Sequence, residues 1–441
     1  MLDPTLFDRF TMGFSLSVHI VIAVIGVVLP VLIIISDYLW LRNNDNYYKV
    51  LSGRLTTAFV ILFAIGTASG MLVAINLLFL WPNFMALVGQ VAMSPVYLEV
   101  FAFFTESIFL TVYIFYRDVF RSRYARIIVM IPVAIGAAMS AVLITVLNSF
   151  MNTPVGFNIP VYLQNGTITN VDPFAAFSAP AVGIEVSHVL ATSYFAGAGI
   201  FVAFFALMLL YDRDKKLRIY HTKALKVSFI VMVIGVVLSL ITGVLSIEGL
   251  YSIQPEKFAA IEMNLNSTAH APEIIGGIYQ NGSISYALLV PDLQSILATG
   301  SPSGAVPGLN QFPRNTWPPL IIHVLFDFMV IAGACTGLFL SIVFLLFALK
   351  RKVFENGFTL KLLVLSGIIS VVLLENGWMV DEIGRQPWII YNVMTVSQAA
   401  NTSLSIVPIA TLIVAIYLLV IPLTYLALTR VFKERRLDKE L

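Results

Sequence analysis

The chain has 441 residues, 59% of them hydrophobic and only 11% charged, with a net charge of +2 and a mean hydropathy of +0.91. Soluble domains carry about 25% charged residues, so a water-soluble globule is excluded. The sequence carries no P-loop and no nucleic-acid motif, and its lone cysteine, Cys335, leaves no intrachain disulfide and no thiolate iron–sulfur centre.

Apolar runs of about 18 or more residues recur, each long enough to cross a hydrocarbon core of roughly 30 Å. They are continuous rather than alternating, which argues for helices and against a barrel. The pattern predicts an all-α, polytopic membrane protein with about nine spans, at 14–41, 56–81, 96–116, 127–151, 184–211, 225–249, 318–348, 360–383 and 404–429. Spans one and seven read as longer than a bilayer needs. The first run is too long for a signal peptide and has no cleavage pattern after it.

Of the 26 Lys and Arg residues, 22 fall in segments 42–55, 117–126, 212–226, 349–361 and 430–441. The other side keeps Arg9, Lys257, Arg314 and Arg385. The positive-inside rule then predicts an outside N-terminus and a cytoplasmic C-terminus. Residues 152–183 and 250–317 are expected outside, where the sequons at Asn165, Asn266 and Asn281 lend weak support. The chain reads as one integral membrane domain, 1–441, with 250–317 an external segment too long for a plain connector. Its Gly/Pro/Ser-rich part, 300–308, reads as a flexible return.

The stretch Gly183–Gly199 opens span five and carries His188 among Ala191, Ser193, Ala196, Gly197, Ala198 and Gly199. Hydrocarbon penalises an ionisable residue, so His188 asks for a function; the small residues would admit a helix or a flat cofactor. His19, Glu99, His188, Met329 and Glu382 lie on five different spans, all in the outer half. A His and a Met from facing helices can ligate a low-spin haem, which suits His188 and Met329. His19 and Glu382 could each hold a further haem. The plainer readings are Met329 as core filler and Glu382 as a headgroup residue beside Asp381.

Several motifs resemble subunit I of the cytochrome bd quinol oxidases. They are Arg9-Phe10 with His19; Glu99 followed by Ala102-Phe-Phe-Thr-Glu106; Ser140, Asn148 and Asn152-Thr-Pro; and His188-Val-Leu-Ala-Thr-Ser-Tyr-Phe-Ala-Gly. Gln254-Pro-Glu-Lys257 leading to Glu262, Phe328-Met329-Val, and Glu375-Asn-Gly-Trp378-Met-Val-Asp-Glu382-Ile-Gly-Arg385-Gln-Pro-Trp388 complete the match. The resemblance covers most of the chain. It implies a three-haem quinol:oxygen oxidoreductase of the prokaryotic cell membrane that generates a proton motive force without pumping. It also implies a second, homologous membrane subunit and a small single-span one.

By the same resemblance, His188 and Met329 ligate the low-spin haem b. His19 and Glu382 serve the two high-spin haems, one b and the other d (or a third b), where oxygen becomes water, with Glu99 beside them. Lys257 and Glu262 bind and deprotonate quinol on the external loop. Trp378, Arg385 and Arg9 sit against haem. A proton path from the cytoplasm through Asp118, Glu106, Ser140 and Asn148 would complete the chemistry. Glu99 and Glu106 are seven apart, about 10.5 Å along one helix face.

Two departures stand out. The family usually spaces the span-three carboxylates eight apart, and it commonly has Arg where this chain has Asp327, two residues before Met329. His323, one turn earlier, could compensate. These departures are the support for an alternative: a paralogue with an altered oxygen site, serving electron transfer or assembly. A secondary transporter would need broken helices and inverted repeats, which the sequence lacks.

Overall fold

The computed structural model describes residues 4–280, 282–434 and 437–441. Among them, nine helices are long and apolar enough to cross a membrane. These are α1 (Pro4–Asn43), α2 (Asn46–Leu80), α3 (Ser94–Tyr116), α4 (Ala125–Asn152), α5 (Val182–Tyr211), α6 (Lys215–Ile253), α7 (Ile321–Ala348), α8 (Gly357–Gly384) and α9 (Val407–Thr429). The nine expected spans are present in order.

Their lengths differ from expectation. The longest are α1, α2 and α6, at 40, 35 and 39 residues, while α7 has 28. Hydropathy sees only the apolar part of a helix, and α2 and α6 begin in polar sequence where a side chain caps them. Asp45 accepts from Tyr47 N at 3.1 Å. Asp214 accepts from Lys216 N and Leu217 N, both at 2.9 Å. Such a cap satisfies an otherwise orphaned N–H. By contrast α7 starts at Ile321 rather than 318: Pro318 and Pro319 lack N–H groups, and a proline disfavours helix in the residue before it.

The bundle is built from helix hairpins α1/α2, α3/α4 and α5/α6, with α8 packed against α5. The central helix is α5, with 61% of its most apolar window buried, the largest share of the nine. Its small residues explain that position. A Cβ on Gly197 would come 2.5 Å from the Val24 carbonyl oxygen of α1. Gly199 lies against Ser370 of α8, and Gly367 of α8 lies against the α5 backbone. The stretch expected to admit a helix or a flat cofactor therefore admits two helices.

One end of the bundle carries the basic loops. The opposite end, the loop end, carries residues 254–320. There Pro255–Ile261 forms a short helix. Strands β1 (Glu273–Gln280) and β2 (Ser283–Val290) pair antiparallel, with Glu273 opposite Val290 and Gln280 opposite Ser283. The return segment is pinned rather than flexible. Val306 and Thr268 exchange backbone hydrogen bonds at 2.9 and 3.2 Å, and Asn264 Nδ2 donates to Pro307 O at 2.6 Å. Asn165 and Asn266 are exposed, whereas the sequon residue Asn281 lies outside the described residues. After α8, a second small hairpin, β3 (Trp388–Ile390) and β4 (Met394–Thr395), closes the same end.

The Gly197→Val variant drives a side chain into the α1 backbone, and overpacking of this kind costs about 1–3 kcal/mol. A lower midpoint for thermal loss of the folded protein is expected, measured by size-exclusion fluorescence over a temperature series.

Candidate functional site

Two of the span histidines, His19 and His188, share one arrangement. His19 Nδ1 lies 2.8 Å from Ser69 Oγ, and His188 Nδ1 lies 2.9 Å from Thr242 Oγ1. Each hydroxyl already donates to a backbone carbonyl, Ser69 to Gly66 O and Thr242 to Leu238 O, both at 2.9 Å. A hydroxyl has one proton to give. Each oxygen must therefore accept from an Nδ1–H, which leaves Nε2 unprotonated on both rings. A bare Nε2 on a ring steadied through Nδ1 is the state in which histidine ligates a metal.

Glycines lie beside the Cε1–Nε2 edges of both rings. A Cβ on Gly70 would stand 3.3 Å from His19 Cε1, and one on Gly243 would stand 3.6 Å from His188 Cε1. Met329 Sδ faces Gly377 of α8, where a Cβ would be 3.5 Å away. Trp378, next along, packs with Ile20 and Val24 of α1, Ala196 of α5 and Leu374 of α8, one residue from His19. Asn376 Nδ2 donates to Leu325 O at 2.6 Å and ties α8 to α7 beside Met329. Among the described residues no three His, Cys, Asp or Glu converge as a bare metal site. A metal here has to bring its own equatorial ligands, as haem iron does, so the residues present fit haem.

At the loop end the polar residues form one buried network. Lys257, 4% exposed, extends over Gly384 to Asp381, its Nζ 2.5 Å from Oδ1. A Cβ on Gly384 would meet the lysine Cε at 2.8 Å, so glycine is what lets the stem pass. Asn148 Nδ2 donates to Asp381 Oδ2 at 2.8 Å and Asn152 Nδ2 to Oδ1 at 3.3 Å. Arg385, 2% exposed, donates to Asn148 and Asn152 Oδ1, both at 3.1 Å, and to Glu382 Oε2 at 2.6 Å. Glu185, three residues before His188, accepts from Ser149 and Asn152 at 2.8 Å. Gln254 Nε2 donates to Asn152 O at 3.0 Å. Asp381, Glu185, Ser149, Asn152 and Gln254 were not singled out as site residues from the sequence; the signal lay in Asp381 beside Glu382 and Glu185 one turn from His188.

The α3/α4 pair carries the other candidates. Ser140 Oγ donates to Glu99 Oε1 at 2.7 Å, so the seven-residue spacing still turns Glu99 toward α4. Glu106, 7% exposed, packs on Gly136. Asp118 is a surface residue 3.7 Å from Arg126 Nη1. Seven residues from Glu106, Tyr113 donates to Asp37 Oδ2 at 2.7 Å and lies 3.2 Å from Ser52 Oγ. Arg126 Nε reaches the same Asp37 oxygen at 2.9 Å. This buried Asp37–Tyr113–Arg126 cluster was also missed. Asn148 belongs to the loop-end network, and Arg9 is exposed on α1.

A family model described as cytochrome bd terminal oxidase subunit I matches residues 7–436. The chain belongs to that family. It is 35% identical over 416 residues to a putative cytochrome bd menaquinol oxidase subunit I of Bacillus subtilis, covering 92% of this chain and 91% of that one. It is 29% identical to the cytochrome bd ubiquinol oxidase subunit 1 of the same organism, over 86% and 82% of the two chains. The bd oxidase structure from Geobacillus thermodenitrificans superposes with a TM-score of 0.90 at 38% identity, covering 98% of this chain and 99% of that one. A member of the cytochrome bd subunit I family is a haem protein, and this one is a multi-pass bacterial membrane protein.

Within a cytochrome bd fold the Asp327 departure has a local explanation. Asp327 Oδ2 accepts from Gly276 N of β1 at 2.5 Å, and His323 Nε2 lies 2.9 Å from Gly276 O. The residue is turned toward the loop hairpin.

Replacing Ser69 or Thr242 by Ala removes the acceptor that fixes the adjacent imidazole. Losing such an outer partner typically weakens metal affinity about 10–100-fold. S69A and T242A should each lower the haem-to-protein ratio retained on dilution, measured by pyridine haemochromogen. Retention equal to wild type in both would show that the rings need no such support.

Proposed function

We propose that the chain, a quinol oxidase subunit, oxidises quinol at the loop end, facing the outside, and carries electrons to an oxygen-reducing site within its bundle. What carries this reading is the pair of span histidines, His19 and His188, with bare Nε2 atoms and a glycine beside each ring, inside a bd oxidase fold. The proposed ligands are His188 and Met329 for the low-spin haem b, and His19 and Glu382 for the high-spin haems, b and d or a third b. When bound, these groups supply one-electron transfer and the reduction of oxygen to water.

The protein's own residues have four tasks. Lys257 holds the 255–261 helix onto α8 through Asp381, and Glu262 on the same segment receives a quinol proton. Glu382, Arg385 and Trp378 shape the cofactor end of α8; Arg9 is placed near the same end of α1. Glu99, held by Ser140, stands at the upper end of a cytoplasmic proton path. Below it Glu106 and, at the basic end, Asp118 would pass protons upward, with Asn148 joining the path to the loop-end network. Protons released outside and consumed from inside make the reaction electrogenic without a pump. A second homologous membrane subunit and a small single-span subunit would complete the complex in the lipid bilayer, with quinol and oxygen as substrates. The 250–317 segment acts as the quinol-binding part of a single membrane domain, 1–441.

An electron-transfer or assembly paralogue is the second reading. Its two supports weaken once Asp327 is engaged by Gly276 and Glu99 by Ser140.

A dithionite-reduced minus oxidised spectrum of the purified complex, repeated with carbon monoxide, should show low-spin haem b and a CO-reactive high-spin band. Glu106→Gln should then lower quinol-dependent oxygen uptake about a hundredfold, as for loss of a positioned proton carrier, with that spectrum unchanged. A spectrum of low-spin haem alone would favour the paralogue, and a colourless complex would sink both readings.

A further inference from the structure

The 255–261 helix and the β1/β2 hairpin meet over the first turns of α7, and one histidine joins them. His323 Nδ1 lies 2.6 Å from Ile261 O, and its Nε2 lies 2.9 Å from Gly276 O. Carbonyl oxygens only accept, so full satisfaction of both contacts requires a proton on each ring nitrogen. Asp327 Oδ2, 3.5 Å from His323 Nε2, accepts from Gly276 N as well. This clamp sets Glu262, which follows Ile261, beside Glu273, which opens β1.

Glu262 is 3% exposed, and among the described residues no donor reaches its Oε2 or the buried Oε2 of Glu273. Two ionised carboxylates are both acceptors and can bond each other only when one holds a proton. Burial holds the Glu262 proton well above the usual carboxyl range, reinforced by the Glu273 carboxylate, the hydrogen bond between the two, and Asp327. Burial raises Glu273 as well, opposed by the hydrogen bond from Glu262 and by His323 and reinforced by Asp327. The other charged side chains of the short helix are engaged elsewhere, Lys257 by Asp381 and Glu256 by Thr316.

We propose that Glu262 and Glu273 share one proton and work as a single proton-accepting pair for quinol oxidation, with Glu273 acting through Glu262. This rests on the reading of Glu262 as the quinol-facing group. In the singly protonated pair the quinol O–H bond breaks, and its proton moves to the Glu262 oxygen that the shared proton leaves as it shifts to Glu273. The electrons depart as in the oxidase activity itself. Asp327 and His323, by docking the hairpin, position Glu273 and so hold the pair together.

The sign of the pH dependence follows. When pH falls far enough to protonate both members, no acceptor remains and the rate drops. Because both groups hold protons more tightly than ordinary carboxyls, this acid limb lies above the ordinary carboxyl range. At this limb one member of the pair stays protonated, and the single negative charge rests on the less buried Glu273 with Glu262 donating to it; in Glu273→Gln the charge has to rest on the more deeply buried Glu262, so the limb moves to higher pH.

The test is steady-state quinol oxidation by the whole purified complex, with a short-chain quinol, across pH, for wild type, E273Q and E262Q at equal haem content. For E273Q the expected result is a kcat lowered about tenfold, KM within about twofold of wild type, and the acid limb displaced to higher pH. That loss is smaller than the hundredfold or more a positioned base usually contributes, because Glu262 remains. A wild-type kcat and limb in E273Q, or a change confined to KM with the limb in place, overturns the pair and leaves Glu273 as a docking residue. If E262Q is also unimpaired, the quinol reading of Glu262 fails and the pair falls with it. E262Q impaired beside a normal E273Q removes the pair alone.

Discussion

Two cations, Lys257 and Arg385, lie almost wholly buried at the loop end, and the arrangement of that end depends on their neutralisation. An uncompensated buried charge costs several kcal/mol. Asp381 compensates Lys257, and Glu382 compensates Arg385. Asp381 also accepts from Asn152 on the oxygen that takes Lys257 and from Asn148 on the other. One carboxylate thereby joins α4, α8 and the segment after α6. The loop is docked through a charge pair that needs all three elements in place, and Gly384 keeps the lysine's passage open. Removing one partner would leave the other buried and unpaired, which is worse than never having had the pair.

The same logic of satisfied polar groups governs the histidines. A helix hydroxyl that donates to its own backbone is usually read as internal satisfaction of the helix. Ser69 and Thr242 do this, and the consequence reaches across the helix interface: with their protons committed, they can only accept from His19 and His188. Two residues of unremarkable type on α2 and α6 thus decide which nitrogen of each ring stays unprotonated. The arrangement recurs at two sites on different helix pairs, which argues for a shared chemical requirement rather than chance packing.

Much of this was legible in the sequence, and the limits have physical causes. Hydropathy reports lateral burial in hydrocarbon, so it found all nine helices and misjudged their ends, where Asp45, Asp214 and Pro318-Pro319 decide. The run from Glu375 to Trp388 announced a site because its polar residues would otherwise be costly in a span. The partners of those residues were not legible. Lys257 and Asp381 lie 124 residues apart and Asp37 and Arg126 lie 89 apart, and no periodicity links such positions. The hairpin was a different failure. Asn281-Gly282 between two β-branched and apolar runs is a strong hairpin signal, which its reading as a sequon within a loop overlooks.

Asp327 illustrates how a substitution that looks damaging in one frame is sensible in another. Taken beside Met329 alone, an acid where the family commonly has a base suggests repulsion of a propionate. The side chain, however, accepts from the hairpin backbone at Gly276, while His323 four residues earlier takes the carbonyl of the same glycine. A single peptide unit region of β1 is thus gripped at both its N–H and its C=O by one face of α7. An arginine could not accept the Gly276 N–H, so this hairpin position and an acid at 327 require each other. The change at 327 belongs with the geometry of the loop, and the helix that carries Met329 is also the one that positions Glu273 over Glu262.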